Sequence, residues 1–276
     1  MSEEKHVNFC DINPLTYAIS EKKEILRRHI KNALSKERFA TQLADEKLPC
    51  VLSHHSNILI KTGKGVDPTL QINKVVNLKI ASATMNGLVV HPGETFSFFR
   101  LVGKVTPKKG YKAGRVIVND KLVPDIGGGL CNLANTIHLL VLDSPLDVTE
   151  FHTHSDALAP DHGKRVPLGA GTSVSYNYID FRFKNNTDQD FQLLFWFDDE
   201  RMHGELRSER PIPHAYRIVE DDHHFHKEGD KFYRVGKIYR EVLDKESGIL
   251  VRRELVWDNH SEVMFDYSEI PSEQIR

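Results

Sequence analysis

Three consecutive glycines, Gly127, Gly128 and Gly129, open onto Leu130 and then onto Cys131-Asn132-Leu133-Ala134-Asn135-Thr136-Ile137-His138-Leu139-Leu140-Val141-Leu142. A helix this apolar around most of its circumference has to be buried, so the rest of the chain must supply the layers that enclose it. The flanking sequence is rich in strand signals. Residues 88–103 alternate or run apolar with a Pro-Gly break, and Arg115 to Ile126 reads as a strand, a tight Asn-Asp turn and a return strand. Ser173–Lys184 and Asp190–Phe197 read as two strands joined into a hairpin by Asn185 to Gln189. A second hairpin is expected over Lys237–Trp257, turning at Lys245 to Gly248. The fold class is α+β, mostly antiparallel sheet, with an N-terminal helical segment and a buried helix starting at Cys131.

The chain divides on these grounds into a helical segment, 1–45, an α+β core, 46–210, and a hairpin-rich extension, 211–276, with the seam near Pro211-Ile212-Pro213. In the first segment Leu26, Ile30, Ala33 and Leu34 recur at three- and four-residue spacing, and Ser20 is placed to cap the stretch. Residues 51–62 read as a short strand and 74–86 as a second amphipathic helix closed by Gly87. Lys plus Arg total 37 against 39 Asp plus Glu, a net charge of −2, which offers no basic field for nucleic acid. No apolar run is long enough for a transmembrane segment, the first residues hold no secretory h-region, and a cytoplasmic location is expected. Cys10, Cys50 and Cys131 lie far apart and form neither a CxxC pair nor a disulfide framework.

The histidines, 15 in all, and the single cysteine at the helix start carry the chemical interest. A cysteine in a first helical turn sits among unpaired N–H groups at the positive end of the dipole, which favours thiolate. Cys131, Asn135 and His138 share one helix face, with His138 about 10 Å up the axis, beyond direct reach of the sulfur. Downstream, if Val148–Thr153 is a strand, His152 and His154 point the same way, and Asp161 and Asp180 are candidate carboxylates to orient a base. His54 and His55 read as surface residues in a turn-rich region and His223 to His226 as a solvated loop, while Phe96, Phe98 and Phe99 read as core.

Five segments in order, NKVVNLKIASATMNGLVVHPGETFSFFRLVG, GYKAGRVIVND, DIGGGLCNLANTIH, HTHS and VSYNYIDFRFKNNT, resemble the VanW family, named for an accessory product of vancomycin B-type glycopeptide resistance clusters. The likeness runs from about Leu48 to Tyr267 and is to the compact form without a signal peptide. It matches the family at Gly127, Gly128, Gly129, Cys131, His154, Ser155 and Asp180, and departs from it at Asn132, where Gln is usual, and at His138, where an aromatic is common. The resemblance implies a role in cell-wall peptide metabolism.

Three readings follow. In the first, a Cys/His-dependent hydrolase or acyl transferase acts on a peptide or amide. Cys131 is its nucleophile, His154 its base and Asp180 or Asp161 the orienter, with Gly127, Gly128, Gly129, Asn132 and Ser155 contacting substrate. In the second, the chain is a non-catalytic module that binds a cell-wall precursor peptide or another resistance protein. In the third, Cys131, His152 and His154 bind zinc; the first two readings need no cofactor.

Overall fold

The computed structural model describes residues 9–60, 67–118, 121–154, 156–157, 160, 171–176 and 178–276. Helix α1, Pro14–Leu34, starts about two turns earlier than Ser20 would set it. Asn13 Oδ1 accepts from the Leu15 and Thr16 amides while Thr16 Oγ1 accepts from the Asn13 amide, a reciprocal cap with Pro14 at the first helical position. Strands β1, Arg38–Phe39, and β2, Cys50–Ile58, lead to helix α2, Pro68–Ala83, six residues ahead of the expected start because Asp67 caps it and Pro68 opens it. Then come β3, Leu88–Val90, β4, Glu94–Ser97, and the short helix α3, Phe98–Val102. The hairpin β5, Ala113–Val118, with β6, Lys121–Ile126, forms as expected in strict antiparallel register, its Asn-Asp turn lying outside the described residues.

The buried helix is α4, Leu130–Leu142. It is followed by β7, Asp147–Glu150, β8, Asp156–Ala157, β9, Arg182–Lys184, β10, Phe191–Phe197, and β11, Arg201–Ser208. The chain ends in three long strands, β12, His214–Glu228, β13, Lys231–Asp244, and β14, Leu250–Val263. The sheets have the orders β1-β4-β9-β7, β2-β11-β10-β3 and β12-β13-β14-β8. Every pairing is antiparallel except β1 with β4 and β14 with β8.

These sheets enclose α4. One side lies on β2 and β11: Ser53 Oγ donates to the Leu140 carbonyl, Asn57 Nδ2 donates to Thr136 Oγ1, and Gly204 leaves room for Thr136 and Leu140. Another side meets the aromatic layer of the first sheet, in which Phe96 stacks on Phe183 and Phe181 lies against the His138 ring. Leu139 and Leu142 cluster with Ile238 of β13. Phe96, Phe98 and Phe99 are buried in the main core as expected.

Two sequence expectations are corrected. Ser173–Lys184 and Asp190–Phe197 do not make a hairpin, since β9 pairs with β4 and β7 whereas β10 pairs with β11 and β3. Asn185 is the reason: its side chain donates to the Val90 and Gln189 carbonyls, so the five-residue turn carries the chain between sheets instead of folding it back. The histidines from His223 to His226 lie in β12 beside a bulge, where Asp222 takes φ +55°, and not in a loop.

Candidate functional site

The shared face of α4 is present and packs along one short extended segment. Cys131 Sγ donates to the Val174 carbonyl at 3.7 Å, and two turns on His138 Nδ1 lies 3.1 Å from Thr172 Oγ1. Thr172 Oγ1 itself donates to Asn135 Oδ1 at 2.9 Å, so its lone pair accepts the His138 Nδ1 proton and fixes that tautomer. The segment is held from its other edge by the antiparallel bridge Thr153–Thr172 and by the Ser173 amide on the His152 carbonyl. Burial pulls His138 down to about 3, so its imidazole is neutral at physiological pH. Its Nε2 has no hydrogen-bond partner among the described residues.

Burial also decides the state of the sulfur. The thiol of Cys131 is pushed up, against the thiolate expected from its place in the first turn of α4. The dipole effect is worth at most about 2 kcal/mol, smaller than the cost of desolvating a charge. Of the amides around the start of α4, that of Asn132 donates to the Gly129 carbonyl, and those of Gly127 and Gly128 just upstream donate to Lys112 and Asp125. The chain itself fills the space over the glycines. A Cβ on Gly128 would stand 2.1 Å from the Gly114 backbone carbon, one on Gly129 2.3 Å from Lys74 Cγ, and one on Gly127 2.3 Å from Val105 Cγ1. These glycines allow α2, β5 and the start of α4 to close on one another, with Gly127 and Gly129 at positive φ.

The other residues singled out from sequence separate. Asp180 is fully buried; Oδ1 accepts from the Phe99 and Phe181 amides and Oδ2 from Ser97 Oγ and Arg182 Nε. Those four bonds saturate it, and none goes to a histidine. His154 is half-buried and its basicity is lowered by burial. The bridge at Thr153–Thr172 sets His154 beyond Thr172, about three residues along the strand from the Val174 carbonyl that holds Cys131, or roughly 10 Å. The imidazole with a carboxylate partner is His152, 3.1 Å from Glu150 Oε1. Among the described residues no three His, Cys, Asp or Glu side chains converge as a metal site, Cys131, His152 and His154 included. Asp161 and Ser155 lie outside the described residues.

Glu150 is the ionic centre that sequence reading missed. Both its oxygens are taken by Arg28 of α1 at 2.5 Å, Arg182 stands 3.6 Å away, and the Asp180 amide donates to Oε1. Burial alone would raise its carboxyl, but the hydrogen bonds from His152 and Arg28 and the charges of Arg28 and Arg182 hold it at about 2. Beside it a cavity of about 380 Å³ opens between α4, β7 and the last two strands, with His138, Glu150, Phe151, Arg240 and Glu254 in its wall. A sequence signal for this junction existed: Asn135 and His138 are polar residues in a buried helix, and such groups require partners. Nothing in the sequence pointed to Thr172 or Arg28 as those partners.

The five segments singled out from sequence all lie within the stretch that comparison with known proteins matches. Residues 73–207 match the family model described as VanW like protein. The chain is 29% identical over 231 residues, 84% of each protein, to the vancomycin B-type resistance protein VanW of Enterococcus faecalis (strain ATCC 700802 / V583). It is 34% identical over 113 residues to the uncharacterized protein YoaR of Bacillus subtilis (strain 168), a stretch covering 41% of this chain and 36% of that one. No solved structure matches.

Proposed function

Residues 73–207 are a VanW-family domain, and from that premise we propose that the chain acts in glycopeptide resistance as a non-catalytic recognition module for a peptide-type cell-wall precursor. The observation that carries this reading is the state of Cys131, whose sulfur is spent on the Val174 carbonyl in surroundings that keep it a thiol. An acyl-transfer enzyme needs an activated nucleophile with an oriented base beside it. Here the carboxylate of the family pattern, Asp180, has no lone pair to spare for a histidine. Similarity to a vancomycin B-type resistance protein supports the setting in vancomycin resistance.

The ligand is seated in the cavity beside Glu150. Its wall sets the unpartnered Nε2 of the neutral His138 beside the Arg240–Glu254 ion pair, a set suited to a peptide's amides. Alkylation of Cys131 by iodoacetamide, followed from pH 6 to 10, tests the premise. The expected thiol titrates above the ordinary cysteine range, near 8.5. Calorimetry with a synthetic wall-precursor peptide is expected to give binding that Cys131→Ser leaves unchanged and Glu254→Gln weakens. A thiol titrating below neutrality, together with amide turnover lost in Cys131→Ser, would restore the hydrolase reading.

A further inference from the structure

We propose that α1 seats the chain on an anionic bilayer surface, lying along it with its aliphatic strip in the lipid. The helix is mounted with its polar side toward the protein. Arg28 reaches Glu150 and the Tyr178 carbonyl, and Asn32 accepts from Arg182, so this side is tied down by ions and hydrogen bonds. No residue of α1 is buried.

What faces away is apolar. Leu15, Ile19, Leu26, Ile30 and Leu34 recur at spacings of four and seven, which confines them to an arc of about 100°. They are 69%, 48%, 60%, 51% and 79% exposed, and Ile12 and Phe9, just upstream, are exposed as well. Lys22, Lys23, Arg27 and Lys31 are the exposed charged residues of the helix and flank or interrupt the strip. Its two acids, Glu21 and Glu24, lie half-buried on the side toward the protein, with only a 3.7 Å contact from Arg27 to Glu24.

The charge decides the occupant. An aliphatic strip edged by four cations complements anionic headgroups, the arrangement of an interfacial helix. A second copy laid strip to strip would bring the same cations of both helices together, which opposes self-association. The contact is superficial: no described helix is long and apolar enough to cross a membrane. The inference is independent of what the Glu150 cavity binds.

The full chain, centrifuged with vesicles of phosphatidylcholine alone or mixed with phosphatidylglycerol, supplies the test. Partition onto the mixed vesicles is expected to exceed that onto phosphatidylcholine by on the order of tenfold or more and to fall as salt rises. Lys22→Gln and Lys23→Gln are each expected to lower it about fivefold. Leu26→Gln with Ile30→Gln should lower it about tenfold or more with the circular dichroism spectrum unchanged. Wild-type protein that stays in solution with anionic vesicles would overturn the proposal, with no variant needed. So would a concentration-dependent dimer in sedimentation velocity that the Leu26/Ile30 double variant abolishes.

Discussion

Helices α4 and α1 use their aliphatic residues in opposite ways. In α4 every side chain from Leu133 to Leu142 is buried, and even its polar members Asn135, Thr136 and His138 face inward onto Thr172 and Asn57. In α1 nothing is fully buried, Leu15, Ile19, Leu26, Ile30 and Leu34 are exposed while Ile25 is half-buried, and a buried-edge ion pair, Arg28 with Glu150, does the anchoring. Full burial of a Leu or Ile is worth about 1.5–3 kcal/mol, a gain α4 collects repeatedly and α1 forgoes. Helical periodicity therefore says that a face exists; only the neighbours decide which face is turned inward.

The sharpest way to break this contrast is matched truncation. Ile137→Ala in α4 is expected to cost about 2–5 kcal/mol in urea unfolding, because the enclosing sheets cannot all relax into the void. Leu26→Ala in α1 is expected to stay within about 0.5 kcal/mol. A large loss from Leu26→Ala would mean that α1 is packed in solution.

The ion pair comes next. A carboxyl held at about 2 in the folded chain and near its ordinary value when unfolded stabilises fully above about pH 4.5 and loses that contribution as pH falls toward 2. Glu150→Gln is expected to destabilise by roughly 2–4 kcal/mol at neutral pH, since Arg28 and Arg182 lose their counter-charge, and to flatten the acid limb of a stability–pH curve. A wild-type curve already flat between pH 4.5 and 2.5 would remove Glu150 as the anchor.

A third test separates packing from chemistry at the glycine turn. Gly128→Ala forces a Cβ onto the Gly114 backbone, and about 1–3 kcal/mol of strain is expected. If the turn serves packing, ligand affinity measured below the melting transition should hold while stability falls.

How far the sequence could be read follows the same division. The enclosed helix, the β5–β6 hairpin, the turn at Lys245 to Gly248 and the phenylalanine core were legible because local pattern and tertiary use agree there. The expected hairpin across Asn185 was not, since the turn residues are right for a reversal and only the long-range bonds to Val90 divert the chain. The five ordered segments that resemble the VanW family all lie within residues 73–207, the stretch that the family model matches. At the site, the common face of Cys131, Asn135 and His138 was readable from spacing. The rise in the Cys131 thiol and the saturation of Asp180 were not, because both arise from tertiary packing: burial of the sulfur for one, bonds from the distant Ser97 and Phe99 for the other.

The smallest effect concerns where α1 begins. Ser20 has the chemistry of a cap, yet Asn13 holds the two free amides, so Asn13→Ala is expected to cost about 1 kcal/mol and Ser20→Ala to change little. Because α1 is tied to the core through Arg28 near its C-terminal end, its first turns can open without the rest. The loss should therefore appear as faster amide exchange over Leu15 to Ala18, with the urea midpoint nearly unmoved. A urea midpoint lowered in step with the loss of local protection would mean that the helix unfolds with the core, making it a structural partner of the sheets and narrowing the contrast with α4.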